Sequence, residues 1–264
     1  MRPASLFFAP KQLAQTPLSW ASRALSFAAA LFAVTLLFYF SFHQLNYHWN
    51  WEAVLRYRQK FLEGWVATIL ISMAALALST AIGLTFALGQ RSRFLPLRYF
   101  SRLYVEVARG TPLLVQILIF FYVVADAFGV QNRYLVGVLA LSFFSGAYIA
   151  EIVRAGIESI GRSQLESARA IGLTRGQTYR YVIFPQALRS ILPPLAGQFV
   201  SLIKDSSLLS IISISEFTLN AQEVNAYTFI TLESYLPLAA GYLLLTLPIS
   251  IWTQRLERRH RFET

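Results

Sequence analysis

Residues 64–90 read GWVATILISMAALALSTAIGLTFALGQ, 27 consecutive positions without Asp, Glu, Lys or Arg. The hydrocarbon core of a bilayer needs about 20 apolar residues of helix, so this run can cross a membrane with residues to spare. Four more uncharged stretches follow the same logic, at 24–42, 110–125, 134–150 and 234–254, and a sixth at 190–215 is interrupted only by Lys204 and Asp205. The runs at 110–125 and 134–150, of 16 and 17 residues, are near the lower limit, so their helices are expected to extend into the flanks. None shows the period-two alternation of barrel strands. The expectation is an all-α membrane protein with six transmembrane helices. A hydrophobic content of 56% agrees with that. The net charge of +10 would suit a nucleic-acid binder, but the basic residues cluster between apolar runs with no aromatic stacking strip, so nucleic acid is excluded as a partner and membrane lipid expected. Cysteine is absent, which removes disulfides, thiolate metal sites and a cysteine nucleophile.

Lys and Arg set orientation. With six spans, one side collects Arg2, Lys11 and Arg23, then five arginines from Arg91 to Arg109, six from Arg154 to Arg189, and Arg255, Arg258, Arg259 and Arg261 in the tail. That is 18 of 23 basic residues, so both termini are expected in the cytoplasm. The other side holds Arg56, Arg58, Lys60 and Arg133 with the acidic Glu216, Glu223 and Glu233. Residues 1–60 read as a cytoplasmic leader, a first span and a periplasmic connector, with Tyr47, Trp49 and Trp51 suited to a membrane interface. The long leader and 19-residue apolar run fit an uncleaved anchor better than a signal peptide. Residues 61–264 form the body, and no solenoid or propeller repeat is visible.

The loop at about 154–189 carries start and stop signals for two short helices. Ser163-Gln164-Leu165-Glu166 has the form of a capping box, with Gly172 at the position that favours a left-handed turn after the helix. Thr174-Arg175-Gly176-Gln177 is a second box, whose helix is expected to stop before Pro185. By shape this is either an interaction element or a structured connector.

Glu166-Ser167-Ala168, Gly172 and Val182-Ile183-Phe184-Pro185 together resemble the EAA loop of ABC importer permeases, with Ser167, Val182 and Phe184 as conservative departures. Several further segments resemble the polar amino acid branch of that family. They are Arg109 to Gln116 (with Thr111 and Pro112), Gly146-Ala147-Tyr148, Arg154-Ala155-Gly156-Ile157, Pro185-Gln186-Ala187 and Lys204 to Leu208, together with Gly64 and Thr68. The similarity runs from about residue 61 to the C-terminus. It implies a type I importer core of five helices in the bacterial inner membrane, a second permease beside it, two ATPase subunits beneath and a periplasmic binding protein above. It implies that ATP and Mg are used by the partner ATPase and that this chain is a transport subunit, not an enzyme. Ser163, Glu166, Ser167, Ala168, Gly172 and Thr174 are then the ATPase-coupling residues. Gly64, Thr68, Arg109, Thr111, Pro112 and Gln116 are assigned a structural role.

Ionisable residues within a span are costly and usually face a cavity or a partner. Lys204 and Asp205, with Gln198, Ser201, Ser206 and Ser207, read as a polar stripe fit for a zwitterionic solute, the alternative being a structural ion pair. The resemblance implies that relatives taking basic amino acids can carry an acidic residue at this place, so neutral Gln198 weakly disfavours arginine or lysine as cargo and leaves glutamine, histidine, glutamate or a neutral polar amino acid open. The three histidines have no metal-ligand spacing, and no GxxxxGK[ST] stretch exists for nucleotide. A secondary transporter would be expected to show internal repeats, and a membrane enzyme a catalytic cluster at depth.

Overall fold

The computed structural model describes residues 20–44 and 47–260, the side chains of 256–260 excepted. Arg2, Lys11 and Arg261, and the side chains of Arg258, Arg259 and His260, lie outside the described residues. The chain divides into two units, residues 1–49 and 50–264. The first holds α1 (Trp20–His43), 24 residues long. Beyond it Tyr47 and Trp49 meet edge to face at 5.2 Å.

The second unit is built of helices joined by short turns, with no strand among its described residues. A short α2 (Trp51–Leu55) precedes α3 (Arg58–Gln90), α4 (Leu95–Gly110), α5 (Leu113–Ile119) and α6 (Ala125–Ala127). Then come α7 (Arg133–Glu158), α8 (Arg162–Ala170), α9 (Arg175–Thr178), α10 (Phe184–Asp205), α11 (Phe217–Thr228) and α12 (Thr231–His260). The apolar run that decides the class sits inside α3. Helix α7 is the axle: Ala140, Leu141, Ala147, Ile149 and Ala150 are at most 1% exposed. It lies so close to α3 that a Cβ on Gly83 would sit 2.5 Å from Ile149 Cγ2 and 3.0 Å from the Gly146 carbonyl. Small residues at such a crossing let two backbones approach, the usual means of packing helices where lipid supplies no hydrophobic drive.

Among the described residues, five helical segments are long and apolar enough to cross a membrane: Trp20–His43, Arg58–Gln90, Arg133–Glu158, Arg175–Ile212 and Thr231–Arg255. Of the two short runs, 134–150 extends as expected, into the 26 residues of α7. The run at 110–125 does not. Thr111 and Pro112 are extended, and α4 meets the helical segment 113–127 at 112°, so the sixth span exists only as this bent pair.

The stop expected before Pro185 is overturned. Between α9 and α10 the chain stays helical through a π segment, Tyr179–Ile183, in which the Phe184 amide reaches back five residues to the Tyr179 carbonyl. Pro185 thereby falls in the first turn of α10, where a missing amide hydrogen costs little. A second deviation comes at the other end. After Asp205 the chain tightens into a 3₁₀ segment, Ser206–Ile212, so α-helical spacing no longer orders Ser206 and Ser207.

Candidate functional site: a coupling loop, an intramembrane polar segment and two polar junctions

The loop helix α8 starts two residues earlier than the capping box requires. Gly161 is its N-cap and makes no side-chain capping bond, which puts Ser163 inside the first turn, where its hydroxyl does not cap the helix. The Ser163–Glu166 box is therefore not formed, and both side chains are exposed. The helix end follows expectation. Gly172 has φ +77°, its amide bonds the Arg169 carbonyl and the Leu173 amide bonds the Ala168 carbonyl, both at 3.0 Å. These two bonds are the Schellman pattern, which satisfies carbonyls left over at a helix end. The second box forms: the Gln177 amide donates to Thr174 Oγ1 (3.3 Å) while Gln177 Oε1 accepts from the Thr174 amide (2.9 Å). Ala168 is buried, whereas Ser167 is exposed and Ile171 is 76% exposed.

In α10 the amide of half-buried Gln198 donates to Ser145 Oγ of α7 (3.1 Å). Ser201 and Asp205 are half-buried and Lys204 is exposed. Neither Lys204 nor Asp205 forms a side-chain ion pair or hydrogen bond among the described residues, so the structural ion pair is not formed within this chain. Ser206 is fully buried, its hydroxyl bonded to the Ile203 carbonyl (2.7 Å), and the Ser207 hydroxyl bonds the Lys204 carbonyl (2.7 Å). The stripe thus reduces to Gln198, Ser201, Lys204 and Asp205, because the 3₁₀ turn commits the two later serines to the backbone.

Gly64 and Thr68 meet at a junction that sequence reasoning missed. Its centre is Glu216, which is 0% exposed. As N-cap of α11 it accepts from the amides of Thr218 (2.9 Å) and Leu219 (2.8 Å), and Tyr242 of α12 and Thr68 of α3 donate to it at 3.1 and 3.4 Å. Burial pushes its carboxyl above the usual range, and the two amide bonds pull it back in part. Thr68 also accepts the Phe217 amide (3.1 Å), and a Cβ on Gly64 would stand 2.9 Å from the Phe217 Cα. Glu216 and Glu233, which the sequence analysis set on the side opposite most of the arginines, are both fully buried within the bundle. A helix-cap position for Glu216, before Phe217-Thr218-Leu219, was the one available signal.

The last group lies at the other end of α3. Gln116 Nε2 donates to the Ala108 carbonyl (2.7 Å) and Thr111 Oγ1 (2.8 Å), so it closes the corner that Pro112 opens between α4 and α5. Arg109 instead faces Glu151 of α7 at 3.7 Å and lies over the Tyr148 ring. Arg154 pairs with both Glu151 and Glu158.

A bundle with an axle helix and several apolar spans defines a multi-span helical membrane protein. The family model described as "Binding-protein-dependent transport system inner membrane component" matches residues 79–262, and the chain belongs to that family. It is 37% identical over 212 residues to the glutamine transport system permease protein GlnP of Escherichia coli (strain K12), covering 80% of this chain and 97% of GlnP. It is also 37% identical over 212 residues to the L-cystine transport system permease protein TcyB of Bacillus subtilis (strain 168), covering 79% of this chain and 90% of TcyB. A crystal structure of an amino acid ABC transporter with histidines superposes with TM-score 0.75 at 36% identity, covering 81% of this chain and all of that one. The chain is an ABC transporter permease subunit.

Proposed function

We propose that this chain forms half of the translocation path of a bacterial inner-membrane importer for a polar, non-basic amino acid. The observation that carries the reading is the loop at 162–178. Ala168 is buried while Ile171, Glu166 and Ser167 point outward, on a helix end fixed by Gly172. Such a rigid, outward-facing element suits the groove of an ATPase subunit, which would spend ATP and Mg and pass its closing and opening to α10 through the unbroken helical segment Arg175–Ile212. Two ATPases, a second permease, identical or homologous, and a periplasmic binding protein complete the assembly. The arginine distribution supports cytoplasmic termini. The extent of the matches supports taking residues 61–264 as the transport domain.

Solute contacts are assigned to Gln198, Ser201, Lys204 and Asp205. An amino acid brings one ammonium and one carboxylate, and Asp205 and Lys204 are the unpaired complements within a single turn. Glutamine is the first solute to test. Relatives equal in identity are named for glutamine and for cystine, so overall similarity does not choose between solutes.

The experiment is reconstitution of the chain with its ATPase and binding protein in liposomes. Glutamine uptake that needs internal ATP, with hydrolysis stimulated by the loaded binding protein, is expected. An excess of arginine should compete weakly. Uptake by the chain alone, driven by an ion gradient, would reverse the assignment.

A further inference from the structure

We propose that the cavity between α3, α4 and α7 is a headgroup site for an anionic phospholipid of the phosphatidylglycerol type. The cavity is about 310 Å³ and takes four arginines, Arg91, Arg102, Arg109 and Arg154. Three glutamates also line it, Glu106, Glu151 and Glu158, which leaves a surplus of one positive charge. The internal pairing is uneven. Arg154 serves Glu151 and Glu158, and Arg109 leans on Glu151, whereas Arg102 makes no ion pair among the described residues. Arg91 has only a long bond to the Tyr179 hydroxyl (3.4 Å). Most telling is Gln90, whose side-chain amide lines the cavity at 8% exposure with its Nε2 unpartnered. A buried donor without an acceptor is expensive, and native structures seldom keep one unless something else fills the role. Apart from Glu106, the open side chains here, Gln90, Arg91 and Arg102, offer donors, so the missing ligand is rich in acceptors. Phosphate oxygens with arginine fit that description.

Why the phosphate should come on a lipid follows from the three faces of α4. One face, with Ser101, Val105 and Ala108, is buried in the bundle. The next carries Arg98, Arg102, Glu106 and Arg109. The third, contiguous with the charged one, exposes Tyr99 (63%), Phe100 (61%), Leu103 (61%) and Val107 (55%). An exposed apolar stripe bordered by arginines is the pattern of a helix lying at the headgroup level of a bilayer, and basic pockets between helices are where anionic headgroups settle. Acyl chains would cover the third face while the phosphate enters between Gln90 and Arg102. Unpaired Glu106 disfavours a second anion and suits the hydroxyls of a glycerol headgroup.

The site is independent of the solute carried. The test is titration of the purified full chain in detergent with dioleoylphosphatidylglycerol, read by native mass spectrometry. Dioleoylphosphatidylcholine and inorganic phosphate are the controls. Wild type is expected to bind phosphatidylglycerol at least about tenfold more tightly than phosphatidylcholine, and Arg102→Gln to lose about tenfold, the scale of one charge-assisted bond. Inorganic phosphate should not displace the lipid. Equal binding of the two lipids, no effect of Arg102→Gln, or displacement by inorganic phosphate would overturn the proposal. Should Arg102→Gln fail to purify, Leu103→Gln on the acyl face replaces it, with the same loss expected and no loss counting against the site.

Discussion

The two ends of α3 handle polarity in opposite ways. Near its start, Thr68 joins Glu216, Tyr242 and the first turn of α11 into a junction where one carboxylate answers four donors and no solvent enters. Near its end, Arg91 touches Tyr179 just beyond a loop whose helices satisfy their termini from within, through Gly172 and the Thr174–Gln177 box, and leave their remaining side chains outside. One region spends its polar groups on holding three helices together. The other uses its backbone and two side chains only to close its own helix ends, which keeps a surface available while fixing its shape.

That contrast is broken most severely at Glu216. Glu216→Ala would leave the Thr218 and Leu219 amides without an acceptor, at about 1 to 3 kcal/mol each before relaxation, and would take from the Tyr242 hydroxyl one of its two partners. A combined loss of about 3 to 5 kcal/mol is expected, comparable to removing one member of a buried ionic network. Thermal unfolding of the detergent-solubilised protein measures it, with Glu216→Gln, which keeps the shape and an acceptor, expected to lose less than half as much. Loss below about 1 kcal/mol for the alanine variant would mean the junction is not holding α3, α11 and α12 together.

Gly172 tests the other end. Apart from its two chain neighbours, nothing lies within 4 Å of the place its Cβ would take, so a Cβ there meets no clash with the rest of the fold. The penalty is conformational: φ +77° costs a residue with a β-carbon about 1 to 2 kcal/mol, and a β-branched one more. Gly172→Val should therefore leave membrane insertion intact, reorient the end of α8 and abolish transport. Undiminished ATP-driven uptake by that variant would refute a coupling role for the loop.

How legible each region was depends on the range of its interactions. The apolar run at 64–90 declares a span by composition alone, and Gly172 declares its turn because a single residue carries the conformational requirement. Nothing local in Ser215-Glu216-Phe217 reveals a carboxylate whose partners stand 148 and 26 residues away, at Thr68 and Tyr242. Gln198 was singled out, yet its partner Ser145 lies 53 residues off in α7. The Pro185 stop failed for a different reason. Proline forbids the ordinary α-helical bond at its own nitrogen, and the π turn at Tyr179–Ile183 resets the ladder so that no bond is required there.

The smallest effects decide between two motifs of the same written form. Thr174-Arg175-Gly176-Gln177 closes its reciprocal pair of bonds, so Thr174→Ala should cost about 0.5 to 2 kcal/mol of stability. Ser163-Gln164-Leu165-Glu166 has the same spacing but begins at the second residue of α8, two positions after a Gly161 cap whose carbonyl already receives the Gln164 amide at 3.1 Å. Ser163→Ala should then change stability by less than about 0.5 kcal/mol, or raise it slightly, since alanine is the better residue within a helix. Denaturation of the two variants side by side measures the difference. Equal losses would mean that Ser163 caps the helix in solution after all, and that α8 begins two residues later than Arg162.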